Sequence, residues 1–185
     1  MTDATLEEIR QKLGAALLDS HAFRGDETVV VRREGLLETF RRLKEDPGLG
    51  FDFLSDLTAV DYLGKKEPRF EVVYHLLALA KSRRLRVKVP VAESEPEVDS
   101  LTPLWRGADW LEREVWDMYG IRFRGHPDLR RILLYEEFRG HPLRKDYPVN
   151  QRQPLVPERP LAGTFVDAKS DNKLLQLKQQ LERKR

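Results

Sequence analysis

The sequence contains no cysteine. That excludes disulfides, thiolate zinc sites, Cys-ligated iron–sulfur clusters and a Cys nucleophile within this chain. It also lacks any run of about 18 apolar residues, so no transmembrane helix is expected. The first residues, Met1-Thr2-Asp3-Ala4-Thr5, have neither a basic start nor an apolar stretch. The expectation is therefore a chain without a secretory leader or an Arg-rich transit peptide. Gly-x-Gly-x-x-Gly, the Walker loop and the Gly-x-Ser-x-Gly elbow are all missing. Their absence removes the common ways to hold NAD or ATP, or to present a serine nucleophile. The histidines His21, His75, His126 and His141 share no short ligand spacing, and no metal is expected.

What is present is a 185-residue chain, 40% hydrophobic and 35% charged. That suits one domain with an extension and a densely charged surface. The net charge of +2 hides an asymmetry: residues 1–138 sum to −4 and residues 139–185 to +6. Five of the 11 prolines lie in that basic tail. Composition thus separates a mildly acidic body from a basic, Pro-rich extension.

Leu6, Ile9, Leu13, Ala16 and Leu17 recur at helical spacing behind a Thr5/Glu8 capping box, predicting a helix over about 5–18. Thr28-Val29-Val30-Val31-Arg32 reads as a short strand. Leu36, Leu37, Phe40 and Leu43 mark a second helix, stopped by Asp46-Pro47-Gly48. Three strands follow at about 51–62, 69–79 and 84–91, joined by short connections that favour antiparallel neighbours. In the last, Leu85, Val87, Val89 and Val91 alternate with Arg86, Lys88 and Pro90. Such alternation suits a strand with one wet face, with Pro90 at an edge or a strand end. Residues 92–99 read as an acidic loop. Leu101, Leu104, Trp105, Ala108, Leu111, Val115 and Met118 form one helical stripe that Gly107 interrupts and Gly120 ends. Ile121 to Phe123 reads as a short extended piece, residues 139–166 as extended, and 171–183 as a weak last helix. The fold class expected is α+β: an antiparallel or mixed sheet of about four strands packed with helices, plus an extended C-terminal strap. The body is placed at 1–133 and the extension at 134–185.

The chemistry-bearing segment begins on the predicted helix. Asp109, Arg113 and Asp117 lie four apart on one face. One reading is a solvated ion-pair ladder. The other buries Arg113, whose planar fork fixes the helix against the following loop. Glu112, Glu114 and Asp117 could serve acid–base chemistry, but no nucleophile or oxyanion hole accompanies them. His126-Pro127-Asp128 reads as a turn. Gly140-His141-Pro142-Leu143-Arg144-Lys145-Asp146-Tyr147-Pro148 admits three readings: a solvated tail, a strap anchored on a partner by Leu143, Arg144 and Tyr147, or a nucleic-acid track.

Glu112-Arg113-Glu114, Asp117-Met118-Tyr119, His126 and Arg130-Arg131, with the two His-Pro blocks from Gly125 and Gly140, resemble the thirty-kilodalton family of respiratory complex I, its C subunit. The stretch from Phe51 to Tyr62 resembles that family's central strand. The resemblance covers about 51–148. It implies a non-catalytic structural subunit of NADH-quinone oxidoreductase, in the peripheral arm beside the D subunit, which holds much of the quinone site, and the cluster-bearing subunits. FMN, iron–sulfur clusters and quinone are then expected in partner subunits, and no cofactor in this chain. It further implies a hetero-oligomer on the cytoplasmic face of a bacterial inner membrane, with no direct membrane span and no nucleic acid bound. The same resemblance places Glu112, Arg113, Glu114, Asp117, His126, Asp128, Arg130, Arg131, His141, Arg144, Lys145 and Tyr147 at a partner interface, and favours the strap reading of the tail. Related subunits in ferredoxin-fed quinone oxidoreductases and membrane-bound hydrogenases form the alternative.

Overall fold

A computed structural model describes residues 2–156. The helix expected at 171–183 lies outside them. Residues up to Pro154 form one compact unit. Helix α1 is Thr2–Leu13, strand β1 Leu17–Phe23, β2 Asp26–Val31, α2 Leu36–Glu45, β3 Phe53–Asp61, β4 Phe70–Ala78 and β5 Arg83–Val91. Strand β6 is Glu97–Asp99, helix α3 Ala108–Tyr119 and β7 Arg122–Arg124. The main sheet runs β1-β2-β5-β4-β3, and β6 with β7 forms a second, two-stranded sheet. Every neighbour in the main sheet is antiparallel except β2 with β5. The class is α+β with a mixed sheet, as the sequence implies.

Alternation decides which face is covered. Val87, Val89 and Val91 of β5, Val72, Tyr74 and Leu76 of β4, and Val29 and Val31 of β2 are buried in one core. Leu6, Ile9 and Leu13 of α1 and Leu36, Phe40 and Leu43 of α2 close it. Each such fully buried side chain contributes roughly 1.5–3 kcal/mol of burial free energy. Phe40 sits at the centre, its ring centroid 4.7 Å from that of Tyr74 and 6.1 Å from that of Trp105. On the other face the cross-strand register aligns Thr28, Arg86, His75 and Asp56. Pro90 lies near the end of β5, beyond the last residue paired with β2, so its missing N–H removes no bond there.

Three expectations are corrected. Helix α1 begins at Thr2, not Thr5, and ends at Leu13, because Gly14 turns into the left-handed region at φ +50°. Leu17 therefore opens a strand, not the end of a helix. Strand β1 has no sequence signature because it lacks β-branched residues and is mostly exposed at the sheet edge. Its turn to β2 uses positive φ at Arg24 and Gly25, the geometry of a tight hairpin without the usual Asn-Gly. Finally, the loop at 92–99 contains β6, which pairs parallel with β7 across α3. A parallel pair needs such a crossover, and α3 supplies it. Among the described residues no helix is long and apolar enough to cross a membrane.

Candidate functional site

A helix leaves its last four carbonyls without intrahelical partners. At the end of α3 all four are filled. The Gly120 amide donates to Trp116 O at 2.8 Å. The other three partners come from the second His-Pro block. His141 Nδ1 donates to Asp117 O at 3.0 Å, the Leu143 amide to Met118 O at 3.1 Å, and Arg144 Nε to Tyr119 O at 2.6 Å. Donation to a carbonyl fixes the proton of His141 on Nδ1. Burial lowers the pKa of His141, and Arg144 and Arg131 lower it further against the pull of the Asp117 carbonyl. The ring is thus neutral at neutral pH. Gly120 takes φ +74°, and a Cβ there would come within 2.6 Å of the His141 ring. This close approach admits only glycine.

The side chains of α3 grip the first His-Pro block in the same manner. Asp117 Oδ2 accepts three consecutive amides, Ile132 at 3.1 Å, Leu133 at 3.0 Å and Leu134 at 2.9 Å. Its Oδ1 accepts from the Arg131 guanidinium. Burial alone would raise this carboxyl; the amides and Arg131 outweigh it and hold the pKa below the usual aspartate value. Arg113 donates to the carbonyls of Arg130 and Arg131 at 3.1 and 3.0 Å. His126 Nδ1 accepts the Asp128 amide, so Nε2 carries the proton and donates to Asp109 O at 3.1 Å. Arg131 continues to the carbonyls of Phe138 and Gly140. The row Asp109, Arg113, Asp117 is therefore no ladder within the helix. Its members reach three successive points of the following segment, and the buried-fork reading of Arg113 holds.

A second anchor has no motif in the sequence. Arg69 on the approach to β4 is 2% exposed. Its Nε and Nη2 bond both carboxylate oxygens of Asp61 at 2.9 and 2.7 Å. Nη1 and Nη2 also bond Asp146 at 3.1 and 2.8 Å, and Nη1 reaches Glu93. Asp61 Oδ2 accepts the Lys145 amide at 2.8 Å. The Arg144 guanidinium lies 5.1 Å from the Phe70 ring centroid, and that of Arg69 4.8 Å.

Glu112 points away from this surface. It is fully buried and accepts from Ser100 Oγ at 2.7 Å and the Leu101 amide at 2.6 Å, tying the loop before α3 to the helix. Burial pushes its pKa up to about 7, assisted by Asp109 and opposed by those two donors. The folded chain therefore holds this proton more tightly than the unfolded chain does. Stability is expected to fall as pH rises from 4.5 through about 7, by about 3 kcal/mol in total, and to level off above. Chemical unfolding of the wild type and Glu112→Gln across that range checks this. Equal pH slopes in the two chains would refute it.

The residues expected at a partner interface thus divide. Glu112, Arg113 and Asp117 are buried and face this chain's own segments. The His126 side chain is also fully buried, and that of Arg131 is 14% exposed. His141 and Arg144 are half-buried against the helix end. Tyr147 is half-buried, and its ring stacks on Phe138. Glu114, Asp128, Arg130 and Lys145 face solvent. Beside them stand large apolar side chains left uncovered: Trp110 at 63%, Leu133 at 61% and Leu143 at 47% exposure. The Trp110 ring lies 5.4 Å from the Arg113 guanidinium. Among the described residues, no group of three or more His, Asp or Glu is placed to hold a metal.

Residues 29–153 match the family model described as "Respiratory-chain NADH dehydrogenase, 30 Kd subunit". The NADH-quinone oxidoreductase C subunit of Citrifermentans bemidjiense is 49% identical over 142 residues, covering 77% of this chain and 86% of that protein. The protein of the same name from a Roseiflexus species is 52% identical over 148 residues, covering 80% and 84%. A solved trypsin-resistant fragment (1-134) of Nqo5 superposes with TM-score 0.58 at 39% identity, over 69% of this chain and 98% of the fragment. A chain of the membrane-bound sulfane sulfur reductase, an archaeal respiratory membrane complex, shares the fold at TM-score 0.66 and 22% identity, over 80% of this chain and 86% of its own. Two clamped His-Pro blocks, a five-stranded sheet and half-identical relatives that share one name converge: this chain belongs to the thirty-kilodalton subunit family of respiratory-chain NADH dehydrogenase, complex I.

Proposed function

We propose that this chain is a non-catalytic structural subunit of the peripheral arm of proton-pumping NADH:quinone oxidoreductase. It buttresses the quinone module beside the D subunit, while FMN, iron–sulfur clusters and quinone reside in partner subunits. One observation carries this reading. Arg113 and Asp117 of α3 are committed to holding residues 130–134 in place, the last carbonyls of α3 hold His141, Leu143 and Arg144, and Trp110, Leu133 and Leu143 are left exposed. Uncovered aromatic and aliphatic side chains beside arginine are the composition of interface anchors, not of a free surface. A reaction centre would instead aim its polar groups at a cavity. The chain lies on the cytoplasmic face of a bacterial inner membrane, held there peripherally through the complex. The isolated chain is inactive.

Affinity capture of the tagged chain from its native membranes tests the reading, with mass spectrometry and an NADH:quinone assay on the eluate. The D subunit, the cluster-bearing subunits and inhibitor-sensitive turnover are expected together. Hydrogenase subunits or a ferredoxin-docking module would establish the related-assembly reading instead. Recovery of the chain alone, with other membrane complexes intact, would overturn both.

A further inference from the structure

The Arg69 cluster joins parts of the chain that are far apart in sequence. Asp61 ends β3, Arg69 precedes β4, Glu93 follows β5, and Asp146 lies 77 residues beyond Arg69. A guanidinium has five N–H donors. All five are taken here: Nε by Asp61, Nη1 by Glu93 and Asp146, Nη2 by Asp61 and Asp146. The two halves of the cluster differ in solvent exposure. The side chain of Asp61 is 0% exposed, whereas that of Asp146 is 49% exposed. A buried charge stripped of its partner is expensive, but a half-exposed pair separates readily and is weakened by salt. If Asp146 moves away, Arg69 keeps its bidentate bond to Asp61 and no buried charge is left bare. Lysine could not reproduce this, because it lacks the planar fork.

We propose that Arg69 is the positioning residue of the docking segment: a permanent inner bond to Asp61, which also holds the Lys145 amide, and a releasable outer bond to Asp146 make residues 145–147 a latch. Closed, the latch fixes Asp146 and Tyr147 beside the α3-anchored Leu143 before any partner arrives, which removes ordering entropy from docking. Open, it frees Asp146 and Tyr147, while Leu143 and Arg144 stay bonded to α3 and the Lys145 amide to Asp61. The docking role rests on the function proposed above; the latch itself is a property of the free chain.

The experiment pairs amide hydrogen exchange on the full-length chain with capture from membranes, comparing wild type, Asp146→Asn and Arg69→Lys. Asp146→Asn alters a half-exposed side chain and leaves the Asp61–Arg69 pair in place, so the fold is retained. In it, the Tyr147 amide should exchange about tenfold faster, with the Lys145 amide, held by Asp61, and the β4 and β5 amides unchanged. Half-molar salt should produce the same change in wild type and little further change in the variant. Arg69→Lys should loosen the Tyr147 amide and recover less complex. Unchanged exchange at Tyr147 in Asp146→Asn would overturn the latch. Faster exchange with undiminished recovery of the complex would overturn its docking role. If wild type itself captures nothing, the proposed function falls, and the exchange arm still decides whether the latch exists.

Discussion

Asp117→Ala should lower the unfolding free energy by about 4 kcal/mol, because it strips one largely covered guanidinium and three amides of their acceptor at once. The carboxylate is fully buried and carries Arg131 on one oxygen and the amides of residues 132–134 on the other. Alanine offers none of these groups a replacement. Arg131 keeps the carbonyls of Phe138 and Gly140, but its charge is left uncompensated. Asp117→Asn should fall between the two, since an amide oxygen still accepts N–H bonds while the charge is gone. Guanidinium unfolding of the three chains measures the difference. A loss under about 1 kcal/mol for the alanine variant would mean that solvent replaces the carboxylate and that the turn does not depend on it. The same variant should also lose recovery in the complex, because Leu133 is placed by its own amide bond to Asp117.

Asp61→Ala should cost about 3 kcal/mol by the converse route, leaving Arg69 buried with only its outer partners and the Lys145 and Leu63 amides without an acceptor. Its signature is in acid. Burial would raise the Asp61 carboxyl, but Arg69 and the two amides hold it down at about 2. A depressed carboxylate contributes stability that is complete above its ordinary value of 3.8 and disappears as pH falls through about 2. About 2 kcal/mol of wild-type stability should therefore vanish over that window, and in Asp61→Ala that part of the slope should be missing. A wild type and a variant with parallel acid profiles would contradict the pairing.

These two carboxylates also mark how far the sequence can be read. Asp117 stands out through its i, i+4 spacing from Arg113, yet that spacing suggests the wrong partner. Its true partners lie 14–17 residues downstream, on a segment without periodicity, and only the packing brings them back. Arg113 is legible in type, since a planar fork on a buried face invites carbonyls, but not in target. Asp61, Arg69 and Asp146 carry no local signal: nothing in the residues around Arg69 announces an acceptor 77 positions away. In the body, β5 is plain because one face is wet and the other dry. Strand β1 is opaque because an edge strand with little burial needs no alternation. The motif blocks at 125–133 and 140–148 are recognisable as a pattern without their geometry. That geometry, two segments clamped to one helix, explains why their residues occur together.

The parallel join between β2 and β5 has a consequence for the order in which the chain is made. Strands β3, β4 and β5 are consecutive neighbours and can zip as a meander by short loop closures. The β1–β2 hairpin can form as soon as it emerges from the ribosome, but its inner edge meets Arg86–Lys88 only after a further 58 residues have been synthesised. Until then Thr28–Val30 presents an unpaired β-branched edge, and the nascent chain passes through an interval in which wrong pairing competes with the right one. Pulse-labelled exchange during refolding should accordingly protect β4 amides before those that bridge β2 and β5. Simultaneous protection would show that the two halves of the sheet condense in a single event.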